Sequence, residues 1–417
     1  MTHDIRQILV AYLLSVTVMV QAGHHIYSTQ LRTLQAVVNQ EWMSAPPILR
    51  LGSDDVLNVS FDDLSHDYHR YTYRLERCEA DWQPSEGVFE NDWLEGFNNN
   101  IIDDYETSIN TIIPYTHYRL QLPNDLCRLK LSGNYRLHIL DDEEKAVATV
   151  EFMITEQTMN LALEATTNTD IDLNQSHQQL SATLDYGSLR VTKPEKQIRL
   201  VLIQNGRDDN LRQAVPPTHI VSNGLKWSHC RQLIFDAGNE YHKYEVLDTS
   251  HPTMGIDYIH WDGTAFQVFP FTDEPRPNYI YDQAAHGAFY IRNSDNRDND
   301  ITGEYVYVNY RLRAQPIAEG TIIISGHWTN GNPSLYTMTY DESDRLYHCR
   351  LLQKQGYYSY QYLWLSPTGE HHLLPSEGSY YQTQNRYQAL VYYKAIGERT
   401  WRLTAFRGID LASSGGF

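Results

Sequence analysis

Apolar and polar residues alternate with a period of two in four successive runs of this chain. These are Leu57, Val59 and Phe61; Tyr71, Tyr73 and Leu75; Tyr118, Leu120 and Leu122; and Tyr135, Leu137 and Ile139. Side chains on a strand point to opposite faces in turn, so this period confines the region to half-buried strands and excludes amphipathic helices. The punctuation agrees. Asp62-Asp63 breaks the first run, Pro84 closes the second beyond Trp82, and Gly133-Asn134 opens the last. Tyrosine-rich strands with a nearby tryptophan suit the core of an immunoglobulin-like sandwich. In that reading Trp82 is the core tryptophan.

The pattern continues. Ala148, Val150, Phe152 and Ile154 predict another strand, Ile198 to Ile203 a nearly continuous apolar one. Further strands are expected at Leu233–Phe235, Tyr241–Val246, Phe289–Ile291, Tyr305–Tyr310, Ile322–Ile324, Tyr336–Tyr340, Leu346–Leu351 and Tyr357–Leu365. His24 to Met43 fits both helix and strand spacing and is assigned as strand from its β surroundings. The expected fold is all-β: tandem immunoglobulin-like or early-set sandwiches over 23–155, 156–313 and 314–417 after a cleaved leader. Residues 1–22 read as that leader. Arg6 precedes an apolar run from Ile8 to Val20, too short to cross a bilayer core that needs roughly 20 residues, and Val20-Gln21-Ala22 suits a cleavage site. The expected mature chain begins at Gly23, is exported and spans no membrane. A net charge of −19 argues against nucleic acid and anionic lipid as partners.

The segments PPILRLGSDDVLNVSFDDL, YTYRLERCEADWQPSE, LEGFNNNIIDDYETSINT, YTHYRLQLPN and LSGNYRLHIL, in order from Pro46 to Leu140, resemble successive motifs of one family. It is the family typified by the plug protein of the type IX secretion system. The resemblance implies a non-enzymatic periplasmic protein whose partner is the outer-membrane translocon barrel, which it closes at the periplasmic end. It implies no cofactor. The alternative is an exported polysaccharide-binding protein, since stacked sandwiches with surface aromatics also bind glycans. An enzyme is the weakest of the three, because no nucleophile elbow, phosphate loop or dinucleotide fingerprint is present.

Candidate sites follow from the same residues. Gly87 to Pro114 is long for a strand connection and rich in asparagine, aspartate and aromatics. Within it Trp93, Leu94, Phe97, Asn98 and Tyr105 are the expected partner-binding set, aromatic anchors in a polar surround. The competing account has Trp93 and Phe97 folding back onto their own sandwich. Cys78 and Cys127 are the disulfide candidates within one domain, with buried free thiols as the other reading. The acidic pairs Asp54-Asp55, Asp62-Asp63, Asp103-Asp104 and Asp141-Asp142 read as turns. Asp298, Asp300, Thr302 and Gly303 imitate the start of a calcium loop, but Asn309 stands where its bidentate glutamate belongs, so a hairpin turn is expected. His24-His25 and His371-His372, the latter expected in a turn, lack a third ligand at metal spacing, and no metal site is expected.

Overall fold

The computed structural model describes residues 23–283 and 285–411. The expected leader and its cleavage, and the end of the chain from Ala412, lie outside the described residues. Among the described residues, strand accounts for 46% and helix for 6%, far from the roughly one-third helix of an average globular protein. The protein is all-β.

The first sandwich is built by the alternating runs. Leu57–Asp63 lies between Leu31–Val38 and Thr116–Leu122, and Asp104–Thr107 forms the outer edge beside Thr116–Leu122. The facing sheet carries Thr72–Cys78, Gly133–Leu140 and Ala146–Thr155. Register sets like against like, Phe61 opposite Tyr118 and Leu75 opposite Leu137, so every inward residue meets the core. Phe61, Tyr71, Tyr73, Tyr118, Tyr135 and Phe152 fill it. Tyrosine serves here because each ring packs inside while its hydroxyl reaches a partner at the rim. Tyr71 donates to Asp63 at 2.9 Å, Tyr118 to the His69 carbonyl at 2.9 Å, and Tyr135 to the Leu131 carbonyl at 2.7 Å.

The remaining chain does not divide at 313. Tyr305–Leu312 and Leu346–Lys354 are an antiparallel pair across that expected boundary. With Phe266–Pro270 they face a sheet of His242–Val246, Phe289–Ile291, Thr321–Ser325 and Gly356–Leu365, and one core lies between. The other sandwich is discontinuous. Ile198–Gln204 pairs with Arg386–Tyr393, which pairs with Arg402–Asp410, and these face Asn160–Thr166, His177–Asp185 and Gly224–Trp227. The third sandwich is thus inserted into the second. The expected 156–313 and 314–417 domains are corrected accordingly, because a strand partner is fixed by long-range pairing that local pattern does not encode. A parallel bridge between Thr155 and Leu403 joins the first and second sandwiches into one ten-stranded sheet.

Trp82 is not the core tryptophan of the first sandwich. It sits half-buried at φ 63° in a tight turn, against the apolar seam of Met153, Val201, Leu390 and Trp401 between sandwiches. His371-His372 begins a strand, His371–Leu373, rather than a turn. The calcium-like run is a single helical turn, Asn299–Thr302, and the Asp300 carbonyl accepts Lys354 Nζ at 2.5 Å.

Candidate partner-binding surface

The segment from Gly87 to Pro114 crosses from the edge of one sheet of the first sandwich to the edge of the other. It begins in a short turn of helix, Glu90–Trp93, where the Asp92 carboxylate accepts the Phe89 amide at 3.0 Å. That turn drives Trp93 inward. Its indole is 6% exposed and packs on Tyr135 with ring centroids 5.8 Å apart. Leu94 follows it into the core and pairs with Leu129. The two are therefore corrected from surface anchors to core residues; the competing account holds for Trp93, which takes the role expected of Trp82.

Asn98 has a different task. Its side chain accepts the Leu75 amide at 2.7 Å and donates to the Leu75 carbonyl at 2.9 Å and to Glu90 at 2.8 Å. It imitates a neighbouring strand and satisfies the free edge of Thr72–Cys78. Two of the expected residues remain at the surface. Phe97 is 75% exposed and Tyr105 is 40% exposed. The Phe97 amide donates to the Leu126 carbonyl at 2.9 Å, which sets the Phe97 ring near the exposed Leu126. Tyr105 rests on Tyr68 and Tyr118, at centroid distances of 4.8 and 5.7 Å.

Sequence reading missed Tyr68, Ile101 and Leu126, all of which are exposed here. Only their position at turns and strand ends could have marked them. The surface combines these apolar groups with Asp104–Thr107, an edge strand exposed along its whole length. Asp104 and Glu106 are held by Arg119 at 2.9 and 2.6 Å. Such an edge, with unpaired backbone groups beside aromatic anchors, can take an added strand or an apolar loop from a partner.

The disulfide candidates Cys78 and Cys127 are not bridged; both are free, buried thiols. Cys78 lies opposite Asn134 in the large sheet, while Cys127 pairs with Gly96 in a separate two-stranded sheet and lies 3.6 Å from the Tyr73 hydroxyl. Burial pushes the Cys78 thiol up to about 12, so it stays protonated. Among the described residues, Asp341, Asp344 and His348 form a trio whose ligand atoms lie within 4.8 Å of one another, in an exposed hairpin. Again among the described residues, no helix is long and apolar enough to cross a membrane.

Residues 31–156 match the model of the family described as the type 9 secretion system plug protein 1st domain. No curated protein matches the chain. Among solved structures, the chain is similar to a hypothetical protein from Parabacteroides merdae ATCC 43184. That match has 34% identity and a TM-score of 0.90, and covers 94% of this chain and 100% of the other. The exposed edge from Phe97 to Tyr105 falls inside the matched region, and residues 31–156 are a first domain of the plug-protein family of the type 9 secretion system.

Proposed function

We propose that this protein is a non-enzymatic periplasmic accessory of type IX secretion, which docks on the outer-membrane translocon barrel and closes its periplasmic end. The observation that carries the reading is the match of residues 31–156 to the plug first domain. The first sandwich supports it with an edge where Phe97, Leu126, Tyr68 and Tyr105 lie open to a partner. It is also tied to the rest of the molecule by buried contacts. Tyr305 of the third sandwich donates to Asp62 of the first at 2.7 Å, and Tyr115 donates to the Gly303 carbonyl at 2.9 Å. A plug held across a pore needs such stiffness between its parts.

A second reading has its own observation. Tyr258, 42% exposed on an outer strand of the third sandwich, Ile256–Trp261, stacks on Phe269 at 4.3 Å and on His260 at 6.2 Å. A row of flat rings at a sheet edge suits sugar stacking. The two readings separate in one experiment. The tagged protein is used to capture partners from detergent-solubilised outer membranes, and is passed in parallel over immobilised cell-envelope glycans. Recovery of a very large barrel protein supports the plug reading. Retention on glycan with no barrel protein recovered supports the other and overturns the first.

A further inference from the structure

The three sandwiches meet around a cavity of about 190 Å³, and Gly23 and His24 enter it from the start of the described chain. The Gly23 nitrogen donates to Glu151 Oε2 at 2.6 Å. Asp208 also approaches Gly23, and its Oδ2 lies 3.0 Å from the point a Cβ on Gly23 would occupy. Gly23 has φ +143°, so both the space and the backbone favour glycine here.

The charges around this nitrogen do not balance. Glu151 is buried, and its Oε1 accepts Arg136 at 3.0 and 2.8 Å, but Arg136 is shared with Glu76 at 3.3 Å. Asp209 takes both Arg207 at 2.7 Å and His371 at 3.0 Å. Asp208 is left without an ion pair among the described residues. Burial pushes Asp208 up to about 7 and raises Glu151 above its usual range, the behaviour of carboxylates short of a cation. His24 does not supply one, since burial and His327 hold it neutral, at about 4. An amide nitrogen brings one donor and no charge to this place; an α-ammonium brings three donors and the missing charge. The sequence sets its own cleavage motif, Val20-Gln21-Ala22, directly before Gly23.

We propose that the Ala22–Gly23 bond is the processing site, and that the freed α-ammonium of Gly23 stays at this junction, paired with Glu151 of the first sandwich and Asp208 of the second. The cleavage is a hydrolysis by an endopeptidase that removes leader peptides. One water is consumed, Ala22 leaves as a carboxylate, and the Gly23 amine takes up a proton. The pairing makes removal of the leader a structural step, because the new terminus completes the contact between two sandwiches. It does not depend on the translocon reading. The groups that face the terminus are Glu151, Asp208, Arg136, His24 and His327, with Arg207, Asp209 and His371 behind them.

The test uses the whole exported chain in two forms, one starting at Gly23 and one retaining Ala22. N-terminal sequencing of the protein from its own cells is expected to begin at Gly23; any other start overturns the proposal. A free α-amine titrates near 7.7–8.0, and each unit of upward shift cuts its unprotonated fraction about tenfold at fixed pH. Acylation of the α-amine at pH 7 by an N-hydroxysuccinimide ester, read by peptide mass spectrometry, is therefore expected to be at least about tenfold slower in the Gly23 form than in the Ala22 form. Glu151→Gln in the Gly23 form is expected to restore fast acylation. Because Glu151 also holds Arg136, Asp208→Asn serves as the second variant and is expected to do the same. The Gly23 form is expected to melt above the Ala22 form, with the difference abolished by Asp208→Asn. Equal acylation rates, or equal melting temperatures, in the two forms overturn the proposal.

Discussion

Replacing Lys354 by methionine tests whether the first and third sandwiches are held together by a buried ion pair. Lys354 ends the Leu346–Lys354 strand of the third sandwich and Asp62 lies in Leu57–Asp63 of the first; they are 1% and 0% exposed and 2.8 Å apart. Lys354 Nζ also donates to the Asp300 carbonyl at 2.5 Å and stands 4.1 Å above the Tyr115 ring. Asp62 accepts His117 Nδ1 at 2.6 Å and the Tyr305 hydroxyl at 2.7 Å. Burial works against both charges, lifting Asp62 and lowering Lys354, yet Lys354 and His117 bring Asp62 below its ordinary range. These contacts offset the cost of burying the pair. Lys354→Met strands a buried carboxylate, which costs about 3–5 kcal/mol. At 2–4 °C per kcal/mol for domains of this size, the melting temperature falls by roughly 6–20 °C. Urea unfolding at pH 7 measures the loss. Adding Asp62→Asn removes the stranded charge and is expected to recover at least half of it. The reasoning is refuted if Lys354→Met lies within about 1 kcal/mol of the parent, or if the double variant is no better than the single.

Trp93→Ala is expected to cost about 3–5 kcal/mol as a core truncation, whereas Phe97→Ala and Tyr105→Ala stay within about 0.5 kcal/mol in denaturant while recovery of the translocon partner falls. His242 supplies a pH dependence. Burial opposes its charge, but Asp273 at 2.8 Å and Glu377 at 2.7 Å outweigh burial and raise it to about 9. A raised folded pKa stabilises fully below the unfolded value near 6.5 and is lost as pH climbs through 9, so melting at pH 6 is expected above that at pH 9.5, with Asp273→Asn flattening the difference. Thiol titration of the unfolded, unreduced protein is expected to find all four cysteines free; a count two short would contradict the separation of Cys78 from Cys127.

The strands were legible where local pattern decides them. Leu57 to Phe61 and Tyr135 to Ile139 alternate because one face of each meets a core. Ile198 to Ile203 reads as continuous apolar for a different reason. Leu200 and Leu202 point into the second sandwich, while Val201 and Ile203 pack on the seam with the first, so both faces are covered. Its partner Arg386–Tyr393, buried on both faces as well, went unassigned, and with it the return of the chain that makes the third sandwich an insertion. The tryptophans exchanged roles through backbone geometry. A positive φ at Trp82 turns it out to the seam, and a turn of helix at Glu90–Trp93 turns Trp93 in. In the candidate surface, composition pointed to Phe97 and Tyr105, which are exposed. The task of Asn98 was not legible, because an asparagine that mimics a strand partner looks the same in sequence as one that faces a ligand.

The plug reading requires that binding close a pore. Conductance of the purified translocon barrel in a planar bilayer is the direct measurement, with the mature protein added from the periplasmic side. The account predicts that open-channel conductance falls on addition, and that a Phe97→Ala, Tyr105→Ala double variant, folded as the parent is, loses this effect. Conductance unchanged under conditions where the protein is seen to bind the barrel would contradict it.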